Sequence, residues 1–297
     1  MRRRSFLIAS TLAAGTARAA PLITRPIPSS GERVPAVGMG TWLTFNVAFR
    51  DPDALARRRT VLERFFAGGG ALIDASPMYG SAEEVLGRLL PDVAGAGSLF
   101  SATKVWTPLG AHGPAQMQRS LESWKLARCD LMQVHNLLNW RAHLATLREW
   151  KRRGRVRYVG VTTSHGNKHD EMRKVVESEP LDFMQVTYSP ADRSAEPLLD
   201  LAAARNVAVL VNRPFDGGAL LDRLAGEPLP ALARELECSH WAPLVLKWEL
   251  AHPAVTCVIP ATSRPDHMDQ NMSALAGPLP NADERKALSA AFERVIG

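Results

Sequence analysis

Short apolar runs alternate with longer segments of helical period along almost the whole chain. Eight runs rich in β-branched and other apolar residues stand out, at 37–42, 71–76, 99–106, 130–136, 156–163, 183–189, 208–214 and 256–262. In most of the intervening segments, such as "DALARRRTVLERFFAGG", "WRAHLATLREWKRRG" and "ELECSHWAPLVLKWELA" (235–251), apolar side chains recur every three or four residues, which predicts one helix in each. Most intervals have the length of a strand plus a crossover helix, about 25 to 35 residues, which predicts alternating strands and helices.

Eight nearly continuous apolar strands that alternate with helices predict a (β/α)8 TIM barrel, formed as one domain by residues 20–297. A doubly wound sheet is the alternative. A dinucleotide-binding sheet of that kind carries G-x-G-x-x-G between strand and helix, whereas Gly68, Gly69 and Gly70 precede the strand and indicate a helix C-cap. The segment 22–37, with a turn at Ser29 to Gly31, predicts a β-hairpin that could plug the N-terminal end of the barrel.

The first 19 residues are typical of a secretory signal. They contain arginines at positions 2–4, an apolar run from Phe6 to about Ala14, and a small-x-small site at 17–19. This run is shorter than the roughly 20 apolar residues that span a bilayer. The paired arginines before Phe6 resemble a twin-arginine export signal, with an ordinary Sec signal as the alternative. We therefore expect a mature chain that begins near Ala20 and works in the periplasm, with no membrane span.

Most of the net positive charge belongs to this signal. The formal charge of +6 falls to +2 without residues 1–19, because they include four arginines and no acids. The cationic run 148–157 indicates a solvated helix end, so we expect no nucleic-acid partner. The apolar content of 46% is enough for a large core. Cys129, Cys238 and Cys257 form no CxxC pattern, although a periplasmic setting would permit one disulfide.

Four polar side chains lie at or just after the ends of successive predicted strands, where barrel enzymes carry their chemistry. They are Asp74, Tyr79, Lys104 and His135. Each has an ordinary structural explanation on its own. Together they are more informative, because a lysine within an apolar strand is costly to bury without a partner, and Asp74 on the neighbouring strand can supply one.

The segments that contain these residues resemble aldo-keto reductases, in order and in spacing. They are "VPAVGMGTW", "LIDASPMYGSAEEVLG", "SATKVW", "DLMQVHN", "YVGVTTS", "MQVTYSP" and "VIPATSRPDHMDQNM". The resemblance covers roughly Pro28 to Gly297. It implies a nicotinamide-dependent reductase of carbonyl compounds whose catalytic tetrad is Asp74, Tyr79, Lys104 and His135.

Physical chemistry assigns the same roles. Hydride delivery to a carbonyl carbon leaves an alkoxide, and Tyr79 is the expected proton donor. The ammonium of Lys104 stabilises the phenolate and should lower the phenol's pKa, while Asp74 holds Lys104 in place. His135 can either orient the substrate carbonyl or relay a proton. Ser81 is expected to cap the helix that follows.

The resemblance also implies a cofactor site. Thr162, Thr163 and Gln185 are expected to meet the nicotinamide carboxamide, although Ser-Asn is more usual at the threonine pair. Gly40, Thr41 and Trp42 are expected to line the mouth, and Arg213 is expected to stack on the nicotinamide ring. The residues implied for the adenosine end are Thr262, Arg264, His267, Gln270 and Asn271. Ala261 and His267 replace the Lys and Arg common in NADPH-preferring relatives, but we still expect NADPH, with NADH possible.

Other functions remain open at this point. Lys104 could form a Schiff base in a lyase, or the barrel could bind a cofactor or partner with reductase activity weak or lost. His165 and His169 are spaced as metal ligands on a helix but straddle a loop, and we expect no metal. Trp42 and Trp106 could line an apolar pocket. We expect a monomer that acts on a small-molecule carbonyl substrate.

Overall fold

The computed structural model describes residues 21–296 of the chain, so the predicted export signal lies outside the described residues. The strands are β1 (Thr24–Pro26), β2 (Arg33–Pro35), β3 (Met39–Gly40), β4 (Leu72–Asp74), β5 (Phe100–Val105), β6 (Cys129–Val134), β7 (Val156–Thr162), β8 (Phe183–Thr187), β9 (Ala208–Asn212) and β10 (Val255–Val258). The helices are α1 (Pro52–Ala67), α2 (Ala82–Leu89), α3 (Gly113–Trp124), α4 (Trp140–Arg152), α5 (His169–Ser178), α6 (Glu196–Ala204), α7 (Ala219–Leu224), α8 (Leu232–Glu235), α9 (Trp241–Leu250), α10 (Pro265–Ser273) and α11 (Ala282–Ile296).

Strands β3 to β10 form one parallel sheet in chain order, and its two edges meet. Gly38 donates its backbone N–H to Val258 over 2.8 Å, and Gly40 donates to Pro260 over 3.0 Å. A Cβ atom at Gly40 would lie 2.9 Å from the backbone oxygen of Ile259, so closure depends on a glycine there. The eight predicted strands are all present, and the predicted (β/α)8 TIM barrel is confirmed.

The predicted hairpin also forms, and it covers the N-terminal end of the barrel. Strands β1 and β2 pair antiparallel, and Gly31 in the connecting turn has φ 76°. Ile27 and Val34 are buried in one cluster with barrel-interior residues that include Leu72 and Phe100. Because this end of the barrel interior is filled with apolar side chains, the buried polar side chains inside the barrel lie toward the carboxyl ends of the strands.

Alternation along the strands decides which side chains point into the barrel. On β5, Ala102 joins the cluster inside the barrel, whereas Val105 joins the cluster under the surrounding helices. Lys104 is therefore on the inward face at the carboxyl end of β5, and Thr103 faces the helices, where it donates to Glu83 of α2 over 2.5 Å.

Two local predictions need correction. The segment 235–251, expected as one helix, is broken: α8 ends at Glu235 and α9 begins at Trp241, because Glu237 has φ 55° and His240 is extended. Ser81 lies at the N-terminus of α2 but its hydroxyl caps no helical N–H. It donates instead to the backbone oxygen of Val47 over 2.8 Å, which ties the α2 start to the loop after β3.

The cationic run at the end of α4 is matched by acids. Arg148 pairs with Glu179, Lys151 pairs with Asp182, and two further arginines pair with Glu149. Within residues 21–296, no helix is long and apolar enough to cross a membrane. Cys129, Cys238 and Cys257 are all buried and free of disulfides.

Candidate active site

The four predicted catalytic side chains lie together at the carboxyl ends of β4, β5 and β6. Asp74 is the last residue of β4, Lys104 is the penultimate residue of β5, and His135 follows β6 directly. Parallel pairing aligns these strand ends, since Asp74 is in register with Ala102 and Lys104 with Gln133. Tyr79 stands in the loop between β4 and α2.

Lys104 is completely buried and bound on two sides. Its Nζ donates to Oδ2 of Asp74 over 2.5 Å and to the backbone oxygen of Ala75 over 2.7 Å. Burial by itself lowers the pKa of this amine, but the charge of Asp74 and the neighbouring phenol of Tyr79 oppose it, and the pKa is raised. Lys104 is therefore an ammonium. This disfavours a Schiff-base lysine, which needs a neutral amine as nucleophile.

Asp74 accepts hydrogen bonds on both carboxylate oxygens. While Oδ2 receives Lys104, Oδ1 receives the side-chain amides of Gln133 and Gln185 over 3.1 and 3.0 Å. Thr41 donates its hydroxyl to the Asp74 backbone oxygen over 2.9 Å. Side chains from three other strands therefore fix this carboxylate, and it cannot turn away from Lys104 without breaking bonds to the two glutamines.

Tyr79 places its ring against the lysine ammonium. The Nζ atom of Lys104 lies 5.0 Å from the ring centroid, and the imidazole of His135 meets the same ring edge-on at 5.8 Å between centroids. Burial raises the pKa of the phenol, Lys104 opposes that rise, and Asp74 adds to it, so the net pKa is above its ordinary value. The sequence-based expectation of a lowered pKa is wrong for this structure, because desolvation outweighs the ammonium.

His135 is a neutral imidazole. Burial, together with the positive charge of Lys104, lowers its pKa to about 2. The Nδ1 atom lies 3.0 Å from the hydroxyl of Ser76, which is itself fully buried. Because a proton relay through His135 would require an imidazolium in this setting, the arrangement favours a hydrogen-bonding role.

Several residues of this network escaped the sequence analysis. Ser76 bonds to His135, Gln133 bonds to Asp74, and Asn212 donates to Gln185 and to the backbone oxygen of Thr163 over 3.3 and 2.9 Å. The available signal was a neutral polar residue at or near the end of an apolar run, as in "DLMQVHN" and "AVLVNRP". Such residues also cap and turn strands, so the signal alone is weak.

The residues expected at the nicotinamide carboxamide lie at adjacent strand ends. Thr162 is in register with Gln185, and Thr163 follows it. The hydroxyl of Thr162 accepts the backbone N–H of Asn136 over 3.1 Å, and the amide of Gln185 is bound to Asp74. The structure thus connects this group of residues to the carboxylate of Asp74.

Arg213 lies at the mouth of the barrel beside another expected cofactor residue. Its guanidinium carbon is 5.1 Å from the centroid of the Trp42 indole, and Nη2 bonds to Asp216 over 3.1 Å. The Nε and Nη1 atoms are buried and have no hydrogen-bond partner among residues 21–296. Gly40 and Thr41 lie on the same side, in β3 and directly after it.

The expected adenosine-end residues lie together after β10 and on α10. Thr262 accepts the backbone N–H of Arg264 over 3.1 Å, and Asn271 is buried within α10, while His267 and Gln270 are partly exposed. The guanidinium of Arg264 is not free. It bonds to both carboxylate oxygens of Asp266, over 3.1 and 2.5 Å.

The residues present fit a nicotinamide dinucleotide. Two guanidinium nitrogens of Arg213, Nε and Nη1, have unsatisfied N–H groups of the kind that a phosphate or carboxamide oxygen would satisfy. No group of three His, Cys, Asp or Glu side chains in the described part of the chain is placed to hold a metal ion.

Comparison with known proteins agrees with this geometry. Residues 36–290 match the model of the "Aldo/keto reductase family". The "NADH-specific methylglyoxal reductase" of Escherichia coli is 23% identical, over 91% of this chain and 99% of that protein. An aldo-keto reductase from Bacillus halodurans in its holo form superposes with a TM-score of 0.75 at 21% identity, covering 91% of this chain and 96% of that one.

A second solved structure carries a nucleotide. The aldo/keto reductase from Klebsiella pneumoniae, in complex with NADP and acetate, has a TM-score of 0.74 at 21% identity, covering 90% and 95% of the two chains. The family match spans most of the described barrel, including all four residues of the site. The chain therefore belongs to the aldo/keto reductase family, as a nicotinamide-dependent oxidoreductase.

Proposed function

We propose that the chain reduces an aldehyde or ketone to an alcohol with hydride from NADPH or NADH, and that Tyr79 donates the proton. The observation that carries this proposal is the position of Lys104, whose buried ammonium contacts both the carboxylate of Asp74 and the ring of Tyr79. A proton donor and a fixed positive charge beside a carbonyl oxygen are what its reduction requires.

Each of the four residues has a distinct task in this proposal. Tyr79 stays protonated through the neutral range because burial raises its pKa, and the ammonium of Lys104 stabilises the phenolate once the proton has left. Asp74 keeps Lys104 charged and in place. His135, which is neutral, hydrogen-bonds the substrate oxygen.

The reduced nicotinamide supplies the hydride when it is bound. Thr162, Thr163 and Gln185 would hold its carboxamide end, with Gly40, Thr41, Trp42 and Arg213 around the mouth. Thr262, Arg264, His267, Gln270 and Asn271 would hold the adenosine end. The unsatisfied N–H groups of Arg213 support an oxygen-rich ligand at the mouth.

For the cofactor we favour NADPH, with NADH accepted. Arg264 is the cation at the adenosine end, but its pairing with Asp266 weakens the attraction for a 2′-phosphate. The known relatives include both an NADH-specific enzyme and a structure with NADP. We therefore expect the protein to discriminate between NADPH and NADH less strongly than it would with a free arginine at position 264.

The rim of the barrel supports an apolar substrate. The exposed large apolar side chains of residues 21–296 are Leu22, Trp42, Leu43, Phe49, Met78, Trp106 and Leu109. All but Leu22 lie in the loops that follow β3, β4 and β5, at the end of the barrel where Asp74 and Lys104 lie. Such a concentration favours an aldehyde or ketone attached to an aromatic or aliphatic group.

We further propose that the protein is a periplasmic monomer, exported by the twin-arginine route. The sequence of residues 1–19 supports the export and the location, and the monomer remains an expectation. A route that exports folded proteins would allow the nucleotide to be carried along. Mass spectrometry of nucleotide released from protein purified from the periplasm would test both the location and the identity of the cofactor.

Turnover itself is tested with a panel of aromatic, aliphatic and short polar carbonyl compounds. The expected result is NADPH oxidation with apolar members and its loss in Tyr79→Phe. Nucleotide binding that is unchanged by Tyr79→Phe, without oxidation by any carbonyl compound, would instead indicate a barrel that binds cofactor but has lost catalysis.

A further inference from the structure

Ser76 lies two residues after Asp74 and makes two side-chain contacts. Its hydroxyl oxygen accepts the backbone N–H of Met78 over 3.3 Å and lies 3.0 Å from Nδ1 of His135. The side chain is fully buried. These two contacts together determine which atom accepts the single hydroxyl proton of Ser76.

A buried O–H group needs an acceptor, because an unsatisfied donor costs its full desolvation free energy. The backbone N–H of Met78 is a donor to the Ser76 oxygen, so it cannot accept the hydroxyl proton of Ser76. Among the described residues, the remaining hydrogen-bond partner of this hydroxyl is Nδ1 of His135. Ser76 is therefore the donor in that bond, and the imidazole nitrogen accepts with its lone pair.

This direction fixes the tautomer of the ring. A neutral imidazole has one N–H and one bare nitrogen. Since Nδ1 uses its lone pair to accept from Ser76, the ring proton resides on Nε2. Burial of the ring and the charge of Lys104 lower the pKa of His135, so Nδ1 stays unprotonated. The imidazole therefore has a single N–H donor, on Nε2.

We propose that Ser76 is a positioning residue that holds His135 in its Nε2–H tautomer, so that His135 donates a hydrogen bond to the substrate carbonyl oxygen. The part that concerns the substrate rests on the proposed function, whereas the tautomer does not. In the opposite tautomer, the bare Nε2 would face the lone pairs of the oxygen, and the repulsion would grow as that oxygen gains negative charge. Of Tyr79 and His135, only Tyr79 then transfers a proton to the substrate.

The tautomer can be read directly in the full-length protein labelled with ¹⁵N-histidine. Long-range ¹⁵N–¹H spectra distinguish protonated from bare ring nitrogens, and the signal of His135 among the eight histidines is the one lost in His135→Gln. We expect a neutral ring with the proton on Nε2 in the unsubstituted protein, with no substrate needed. A proton on Nδ1 would overturn the proposal.

Two variants test whether Ser76 sets this state. In Ser76→Ala we expect a mixed or reversed tautomer and a kcat that falls about tenfold or more, with an unchanged Kd for NADPH. Ser76→Thr keeps the hydroxyl and should restore both the Nε2–H signal and most of kcat. An unchanged Nε2–H tautomer in Ser76→Ala would overturn the positioning role.

The two readouts separate this inference from the proposed function. If no carbonyl compound is turned over but the tautomer is Nε2–H and changes in Ser76→Ala, the role of Ser76 stands and the reductase assignment fails. If turnover is found and the tautomer is Nδ1–H, the reductase assignment stands and the role of Ser76 fails.

Discussion

Gln185 donates its side-chain amide to Oδ1 of Asp74 over 3.0 Å, on the carboxylate oxygen opposite the one that binds Lys104. The carboxylate is therefore held from both sides by donors only. Gln185, a residue expected at the cofactor carboxamide, thus also supports the carboxylate that binds Lys104. The expected carboxamide site and the Asp74–Lys104 pair are therefore connected by hydrogen bonds.

Asp74→Asn is expected to reduce both activity and stability. An asparagine amide must direct its NH₂ group either at Lys104 or at the two glutamine donors, and the buried ammonium loses its counter-charge. We expect the free energy of unfolding to fall by about 3 to 5 kcal/mol, as for other broken buried ion pairs, and kcat to fall with it. Urea titration and steady-state kinetics measure the two effects.

The matched control is Asp92→Asn. Asp92 also pairs with a cation, Arg59, but its side chain is 67% exposed. In this variant the free energy of unfolding should fall by no more than about 1 kcal/mol. Equal losses in the two variants would show that the Asp74–Lys104 pair is no more important than a surface contact.

Tyr79→Phe should lower kcat by about 10²-fold or more while nucleotide binding is retained. Because burial raises the pKa of this phenol, the acid form persists through the neutral range. In the unsubstituted protein kcat for reduction should therefore stay level from neutral pH and fall only above about pH 10. Tyr158→Phe, which removes a phenol at the opposite end of the barrel, is the control and should retain kcat.

A fall in kcat near neutral pH would contradict this assignment of Tyr79, because a phenol with a raised pKa does not lose its proton in that range. So would a Tyr79→Phe variant whose kcat matched that of Tyr158→Phe.

Glu249 on α9 predicts a pH-dependent stability. The residue is fully buried, both carboxylate oxygens lack a hydrogen-bond partner among residues 21–296, and burial raises its pKa well above the ordinary value. The folded state thus binds the proton more tightly than the unfolded state. The stabilisation that comes from this proton on Glu249 is complete below the unfolded pKa of about 4.3 and is lost as pH rises through the folded pKa.

Glu249→Gln should remove this loss. The difference in the free energy of unfolding between Glu249→Gln and the unsubstituted protein should favour the variant more at pH 8 than at pH 5. Urea titrations at both pH values measure it, with the exposed Glu63→Gln on α1 as control. A pH-independent difference would show that Glu249 ionises in the folded protein as readily as in the unfolded one.

The fold and the clustering of Asp74, Tyr79, Lys104 and His135 could be predicted because they depend on strong patterns. Apolar strands of even spacing specify the barrel, and a charged residue such as Lys104 at the end of an apolar run is costly unless paired. The broken helix before α9 could not be predicted, because the helical period continues across Glu237 and His240 while the backbone does not. The sign of the Tyr79 pKa shift was also out of reach, since it depends on the balance between burial and the Lys104 charge.

The contacts of neutral polar residues were the other missing part. Ser76 and Gln133 resemble any serine or glutamine near a strand end, and only the folded chain shows which atoms they reach. Likewise, Arg264 and Asp266 stand two residues apart in the sequence, but their pairing depends on side-chain conformations at the start of α10.

Trp106→Ala tests the apolar rim. Trp106 is 41% exposed beside the catalytic residues, and an aromatic substrate would bury part of its indole surface. We expect KM for an aromatic aldehyde to rise about tenfold, which corresponds to the burial of some 50 Å² of apolar surface, and KM for a short polar aldehyde to change little. Leu22→Ala, another exposed apolar position far from the site, is the control. Equal changes for both aldehydes would argue against an apolar substrate pocket.

Asp266→Asn tests whether the pair at the start of α10 limits cofactor selectivity. Arg264 directs two nitrogens at the carboxylate of Asp266, so a 2′-phosphate must compete with that carboxylate and also approach its negative charge. Neutralising Asp266 removes both obstacles. We expect the Kd for NADPH to fall several-fold at low salt and the Kd for NADH, which has no 2′-phosphate, to stay the same; the gain should shrink as salt screens the exposed charges. Asp269→Asn on the same helix, which releases Arg64 instead, controls for the change in net charge. Equal tightening for both nucleotides, or an equal effect of Asp269→Asn, would place the 2′-phosphate away from Arg264.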